Sequence, residues 1–135
     1  MKRDTLIVQL PPIFLGITLL TIYLLTMAPG LTWANGGSDG GDLITATAVG
    51  GVAHPTGYPT YLILAKIFQA FPVGSLAYRT NLLSSVCMAL TSVFLYFFVV
   101  RYLITQGNSQ PQFFGLVAGF AFGFAPLIWS QAVIT

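Results

Sequence analysis

The chain has 135 residues, of which 56% are hydrophobic and only 6% charged, with a formal net charge of +2. A soluble domain carries about 25% charged residues, so this composition does not suit a water-facing surface and points to a membrane protein. It also excludes a nucleic-acid partner recognised through charge, because the five basic residues are scattered singly and form no patch.

Three apolar runs reach the roughly 20 residues of helix that cross a hydrocarbon core of about 30 Å. They give spans at about residues 6–28, 80–103 and 112–134. A lipid-embedded backbone must satisfy its own hydrogen bonds, so these runs are expected as helices. Pro11 and Pro12 are expected in the first turns of span one, where a missing donor costs little. The basic start Met1-Lys2-Arg3 resembles a secretory signal, but the apolar stretch exceeds the 7–15 residues of a cleavable core, which favours a retained anchor.

The segment 29–79 between spans one and two is too long for a plain turn, and such loops carry function or structure of their own. Trp33 suits the membrane interface. Ser38 or Asp39 is placed to cap a short helix over about 39–50, which Gly50 and Gly51 would close. Asp39 and Asp42 are three residues apart, so both carboxylates fall on one face near the positively polarised end of that helix. That arrangement suits a general base with a helper carboxylate; an ordinary cap with a solvated neighbour is the alternative.

The next stretch, His54-Pro55-Thr56-Gly57-Tyr58-Pro59, reads as a rigid turn. Pro59 then starts a helix over about 59–71, too short to cross and therefore expected along the interface, with Lys66 reaching towards lipid phosphates. His54 is a candidate substrate contact or a structural hydrogen-bonding residue of the turn. One His and two Asp give at most three ligands, so no metal site is expected. Arg79 and Asn81 open span two, where Arg79 is either a phosphate grip or an interfacial anchor. Cys87 reads as a small apolar helix residue. In span three, Gly115, Gly119 and Gly123 form overlapping G-x-x-x-G motifs and predict a close-packing helix face.

Lys2, Arg3 and Arg101 favour a cytoplasmic N-terminus with the 29–79 loop outside. No charged anchor follows "LIWSQAVIT", so the chain is expected to be the N-terminal part of a larger polytopic protein.

Taken together, Asp39-Gly40-Gly41-Asp42, the His54 to Pro59 turn and Arg79-Thr80-Asn81 resemble the motifs of the DUF2723 family, which includes TMEM260-like protein O-mannosyltransferases. The resemblance covers most of the chain. It implies an all-α, polytopic membrane protein: the N-terminal part of a GT-C-like glycosyltransferase, with three transmembrane helices and short interfacial helices in its first external loop. The implied reaction moves a mannose-like sugar from a polyprenyl-phosphate donor to a hydroxyl of a protein or glycan, in a bacterial inner membrane, with membrane lipid as a partner and no cofactor. By carry-over, Asp39 would be the base and Asp42 its helper, with His54, Tyr58, Arg79 and Asn81 binding substrate. Asp42 departs from the glutamate common in the family, which shortens its reach by one methylene. A transporter segment handling protons or cations, or a non-catalytic scaffold, are the rival readings; the first would want its acids within the spans.

Overall fold

The computed structural model describes residues 2–134, and all of its regular structure is helical. Helix α1 runs Lys2–Thr26, and the described apolar part of it is Leu10–Thr26. Because the helix begins this early, Pro11 and Pro12 lie inside it rather than in its first turns. A 3-10 turn at Ala34–Gly36 leads into α2, Gly40–Val49. Gly50 takes the left-handed conformation (φ 69°) that closes α2, a geometry costly for any side chain with a Cβ.

Helix α3, Pro59–Gln69, starts on a proline whose missing N–H costs nothing at that position. Helix α4 spans Leu76–Thr105, four residues earlier than span two was expected to begin. The reason is a cap: Ser75 Oγ accepts from the Tyr78 N–H at 3.0 Å and satisfies a donor of the first turn.

The third apolar run is not one straight helix. It divides into α5, Pro111–Gly123, and α6, Pro126–Ala132, bent by 66° at the break. Pro126 lacks an N–H and forces Ala125 out of helical geometry (ψ 131°), so the helix stops and restarts. Among the described residues, α4 alone is long and apolar enough to cross a membrane; α5 with α6 qualifies only as a bent pair, and Leu10–Thr26 is shorter. Three complete crossings are therefore not established.

The long helix α4 is the post on which the rest is mounted, with α1, α2, α3, α5 and α6 all packed against it. The expected small-residue face of α5 is where that packing is tightest. A Cβ on Gly115 would stand 2.7 Å from Val100 and 2.8 Å from Tyr96, and one on Gly123 would stand 2.6 Å from Leu19. Leu15, Leu19, Tyr23, Ala89 and Tyr96 fill the core between these helices. Tyr23 donates its hydroxyl to the Gly123 carbonyl at 2.7 Å, fastening α1 to the end of α5.

After α6 the chain returns to this junction. Ala132, Val133 and Ile134 are buried there, Ser85 Oγ donates to the Ala132 carbonyl at 2.6 Å, and the Ala28 N–H donates to the Val133 carbonyl at 3.0 Å. The outward faces are apolar instead: Leu25, Ile63, Phe94, Phe98 and Phe113 are exposed.

Candidate functional site

Asp39 occupies the N-cap position of α2, but its side chain does not cap the helix. Its backbone is already near-helical (φ −90°, ψ −12°) rather than in the extended geometry usual for capping side chains. The carboxylate accepts from Ser38 Oγ at 3.2 Å on Oδ1, and its Oδ2 lies 3.7 Å from His54 Nε2. The capping role considered for Asp39 is thus absent, and the acid stands at the surface with its side chain 60% exposed.

Asp42, in the first turn of the same helix, meets the other side of the imidazole. Its Oδ2 is 2.7 Å from His54 Nδ1 and also accepts the His54 backbone N–H at 2.9 Å. The backbone N–H first, and then the ring, hold the Asp42 carboxyl below its ordinary value. The helix N-terminus beneath favours the same ionised state. Asp39, His54 and Asp42 therefore form one contiguous cluster at the start of α2.

The rigid turn is what delivers His54 to this place. Gly57 adopts φ 81° and donates its N–H to the His54 carbonyl at 2.7 Å, closing the loop. Tyr58 is left-handed (φ 47°), uncommon for a residue with a bulky side chain, and its ring meets His54 edge-on with centroids 5.2 Å apart. Tyr58 thus borders the cluster and backs the imidazole.

Arg79 and Asn81 are placed elsewhere, and their polar groups are occupied. Arg79 donates from Nε to the Val73 carbonyl at 2.8 Å, from Nη1 to Gln69 at 2.9 Å, and from Nη2 to Gly74 at 3.1 Å. It ties the end of α3 to the turn before α4. Asn81 is buried and donates to the Ala28 carbonyl at 2.9 Å, locking α4 to the exit of α1. Neither touches the carboxylates or the imidazole.

Lys66 is likewise committed to protein, donating to the Thr47 and Ala48 carbonyls at 3.1 and 2.8 Å rather than reaching out. It satisfies acceptors that the end of α2 leaves open. Gln69, which sequence reasoning passed over, bonds the Ile44 carbonyl and Thr80 Oγ1 from a buried position and so joins α2, α3 and α4. The signal was available: Lys66 and Gln69 are three apart, on one face of an otherwise apolar helix.

Beside the turn, a largely apolar groove of about 530 Å³ opens between α2 and α3, lined by Gly50, Val52, Gly57, Pro59, Ile63 and Lys66 among others. A second apolar groove, about 500 Å³, lies between α1 and α4 and includes none of the cluster residues. Among the described residues no three His, Cys, Asp or Glu side chains are arranged to hold a metal ion.

Comparison with known proteins bears on the same segment. The family model described as "Protein O-mannosyl-transferase TMEM260 N-terminal domain" matches residues 39–135, beginning at the first acid of the cluster. A Mus musculus protein named protein O-mannosyl-transferase TMEM260 is 39% identical over 98 residues, covering 72% of this chain and 13% of the relative. A Dictyostelium discoideum protein named protein O-mannosyl-transferase tmem260 is 34% identical over 124 residues, covering 90% of this chain and 14% of the relative. The chain therefore spans about a seventh of the length of these relatives. No solved structure matches.

Proposed function

The chain belongs to the TMEM260 N-terminal domain family, and from that premise we propose that it forms the acceptor-activating corner of a membrane glycosyltransferase. The relatives' printed names support sugar transfer to a hydroxyl, mannose being the sugar they name. The observation that carries the reading is the exposed Asp39–His54–Asp42 cluster, built on a helix N-terminus and lying outside the long apolar helix α4.

In this reading Asp39 takes the proton from the acceptor hydroxyl as its oxygen attacks the anomeric carbon, and the bond from that carbon to the leaving phosphate breaks. Asp39 suits the role because its carboxylate is largely exposed and does not cap its helix. Asp42 suits a supporting role because both of the bonds it accepts come from His54.

The donor is a sugar on a polyprenyl phosphate. The groove beside the His54–Pro59 turn suits its isoprenoid tail, being lined by Val52, Leu62 and Ile63. His54 and Tyr58 border the place where the sugar phosphate would approach. Arg79 and Asn81 act as scaffold, given the carbonyls they hold.

The protein sits in a membrane with the N-terminus cytoplasmic and the 29–79 segment on the opposite side. Its apolar exterior supports embedding, as does α4, whose most apolar stretch is only 28% buried by protein, unlike the core helix of a soluble domain. A transporter reading is less favoured, since Asp39 and Asp42 both lie outside α1, α4 and α5.

The test is transfer by the complete membrane-embedded protein, offered a polyprenyl-phosphate mannose or a nucleotide-linked mannose with a hydroxyl-bearing peptide. Product from the lipid-linked donor supports the reading, and product from the nucleotide donor alone overturns it.

A further inference from the structure

We propose that His54 is a proton relay: Asp42 fixes the ring with its proton on Nδ1, and Nε2 then collects the proton that Asp39 gains from the acceptor. The inference rests on the reading of Asp39 as the base and adds a role for the imidazole that base catalysis alone does not require.

The tautomer follows from the bonding. An ionised carboxylate only accepts hydrogen bonds, so a ring nitrogen 2.7 Å from Asp42 Oδ2 must carry the hydrogen. The same oxygen holds the His54 backbone N–H at 2.9 Å, which pins the residue at its Cα as well as at its ring. Nδ1, the ring nitrogen nearer the backbone, is therefore the one kept on Asp42. In the neutral ring Nε2 then presents a lone pair, and the acid it meets is Asp39, 3.7 Å away. That separation is longer than a hydrogen bond, but the Asp39 side chain is 60% exposed and makes no helix cap, and catalytic hydrogen bonds are often long until substrate binds.

Turnover gives the relay its occasion. Once Asp39 holds the acceptor's proton it is no longer a base, and it must discharge before the next cycle. In the relay step the Asp39 O–H bond breaks and leaves its electron pair on the carboxylate, while an Nε2–H bond forms. The product is an imidazolium between two carboxylates, each a charge-assisted partner. From there the proton leaves to solvent. The titratable groups facing the ring are Asp39 and Asp42 from α2 and Tyr58 from the turn; Lys66 is held at the far end of α2 and Arg79 at the end of α3.

The experiment has two parts. The first is nitrogen NMR of the His54 side chain in this chain in micelles, at a pH where the ring is neutral. The expected form is Nδ1–H, shifting towards Nε2–H in Asp42→Asn; an Nε2–H ring in the unsubstituted protein overturns the proposal. The second is His54→Asn in the complete protein, which keeps an N–H for Asp42 and removes the second nitrogen. Transfer is expected to fall about tenfold to a hundredfold, and to be partly restored by added imidazole.

An unchanged rate in His54→Asn, with Asp39→Asn inactive, overturns the relay and leaves the base in place. Full activity in Asp39→Asn overturns the reading beneath both. Should His54→Asn fail to fold, His54→Gln and the tautomer measurement decide in its stead.

Discussion

His54 and Asp42 are joined twice through a single oxygen: the backbone N–H and ring Nδ1 of His54 both meet Asp42 Oδ2, at 2.9 and 2.7 Å. Twelve residues apart in the chain, they turn the start of α2 and the rigid turn after it into one unit.

That pair of hydrogen bonds sets the first prediction. The carboxyl of Asp42 is held below its ordinary value of 3.8, chiefly by the His54 backbone N–H. Its contribution to loop order is therefore complete above that value and is lost as the pH falls through the lowered one. A carbon-detected titration of Asp42 should give a midpoint below 3.8, with faster amide exchange at His54 and Gly57 emerging in the same range. A midpoint at or above 3.8 would show that the two bonds do not form.

Arg79 should behave as a clamp. Lysine in its place supplies a compact charge without the fork that reaches three carbonyls. Arg79→Lys is expected to raise amide exchange across residues 70–76 and to lower thermal stability in detergent, with little change in donor KM. A large rise in KM without loss of stability would point instead to a phosphate contact.

The glycine face of α5 gives a packing prediction. In Gly123→Ala the new methyl would lie 2.6 Å from Leu19 and 3.1 Å from Ser92 Oγ, in a region already filled. Overpacking of this kind costs about 1–3 kcal/mol, to be read from reversible unfolding in micelles. The exposed Gly107, with nothing near its would-be Cβ but a φ of 70°, should instead show only the smaller cost of a left-handed backbone.

Tyr23→Phe removes the hydroxyl that bonds the Gly123 carbonyl. The expected loss is about 0.5–1.5 kcal/mol, measured by the same unfolding assay. An unchanged midpoint would mean that the α1–α5 junction relies on packing alone.

Much of this architecture was legible because local chemistry dictates it. Pro59 begins a helix, Gly50 ends one, and the small-residue spacing of α5 marks its buried face. The Asp39, Asp42 and His54 grouping was legible for a similar reason: two acids three apart on a helix and a stiff turn leave few ways to arrange themselves. What could not be read were the partners of long polar side chains. Arg79 and Asn81 sit in sequence where a substrate contact is reasonable, but their partners are carbonyls set by the α3–α4 turn and by residue 28, fifty-three positions away. The break within the third apolar run was missed for another reason: hydropathy is blind to Pro126, which breaks the helix without interrupting the apolar run.

The central claim is that Asp39 activates the acceptor, and its most direct measurement is sugar transfer by Asp39→Asn in the complete protein at wild-type expression. Removing a general base of this kind costs about a hundredfold to ten-thousandfold, so transfer should fall to near background with the His54–Asp42 contact intact. Transfer at the unsubstituted rate would contradict the account.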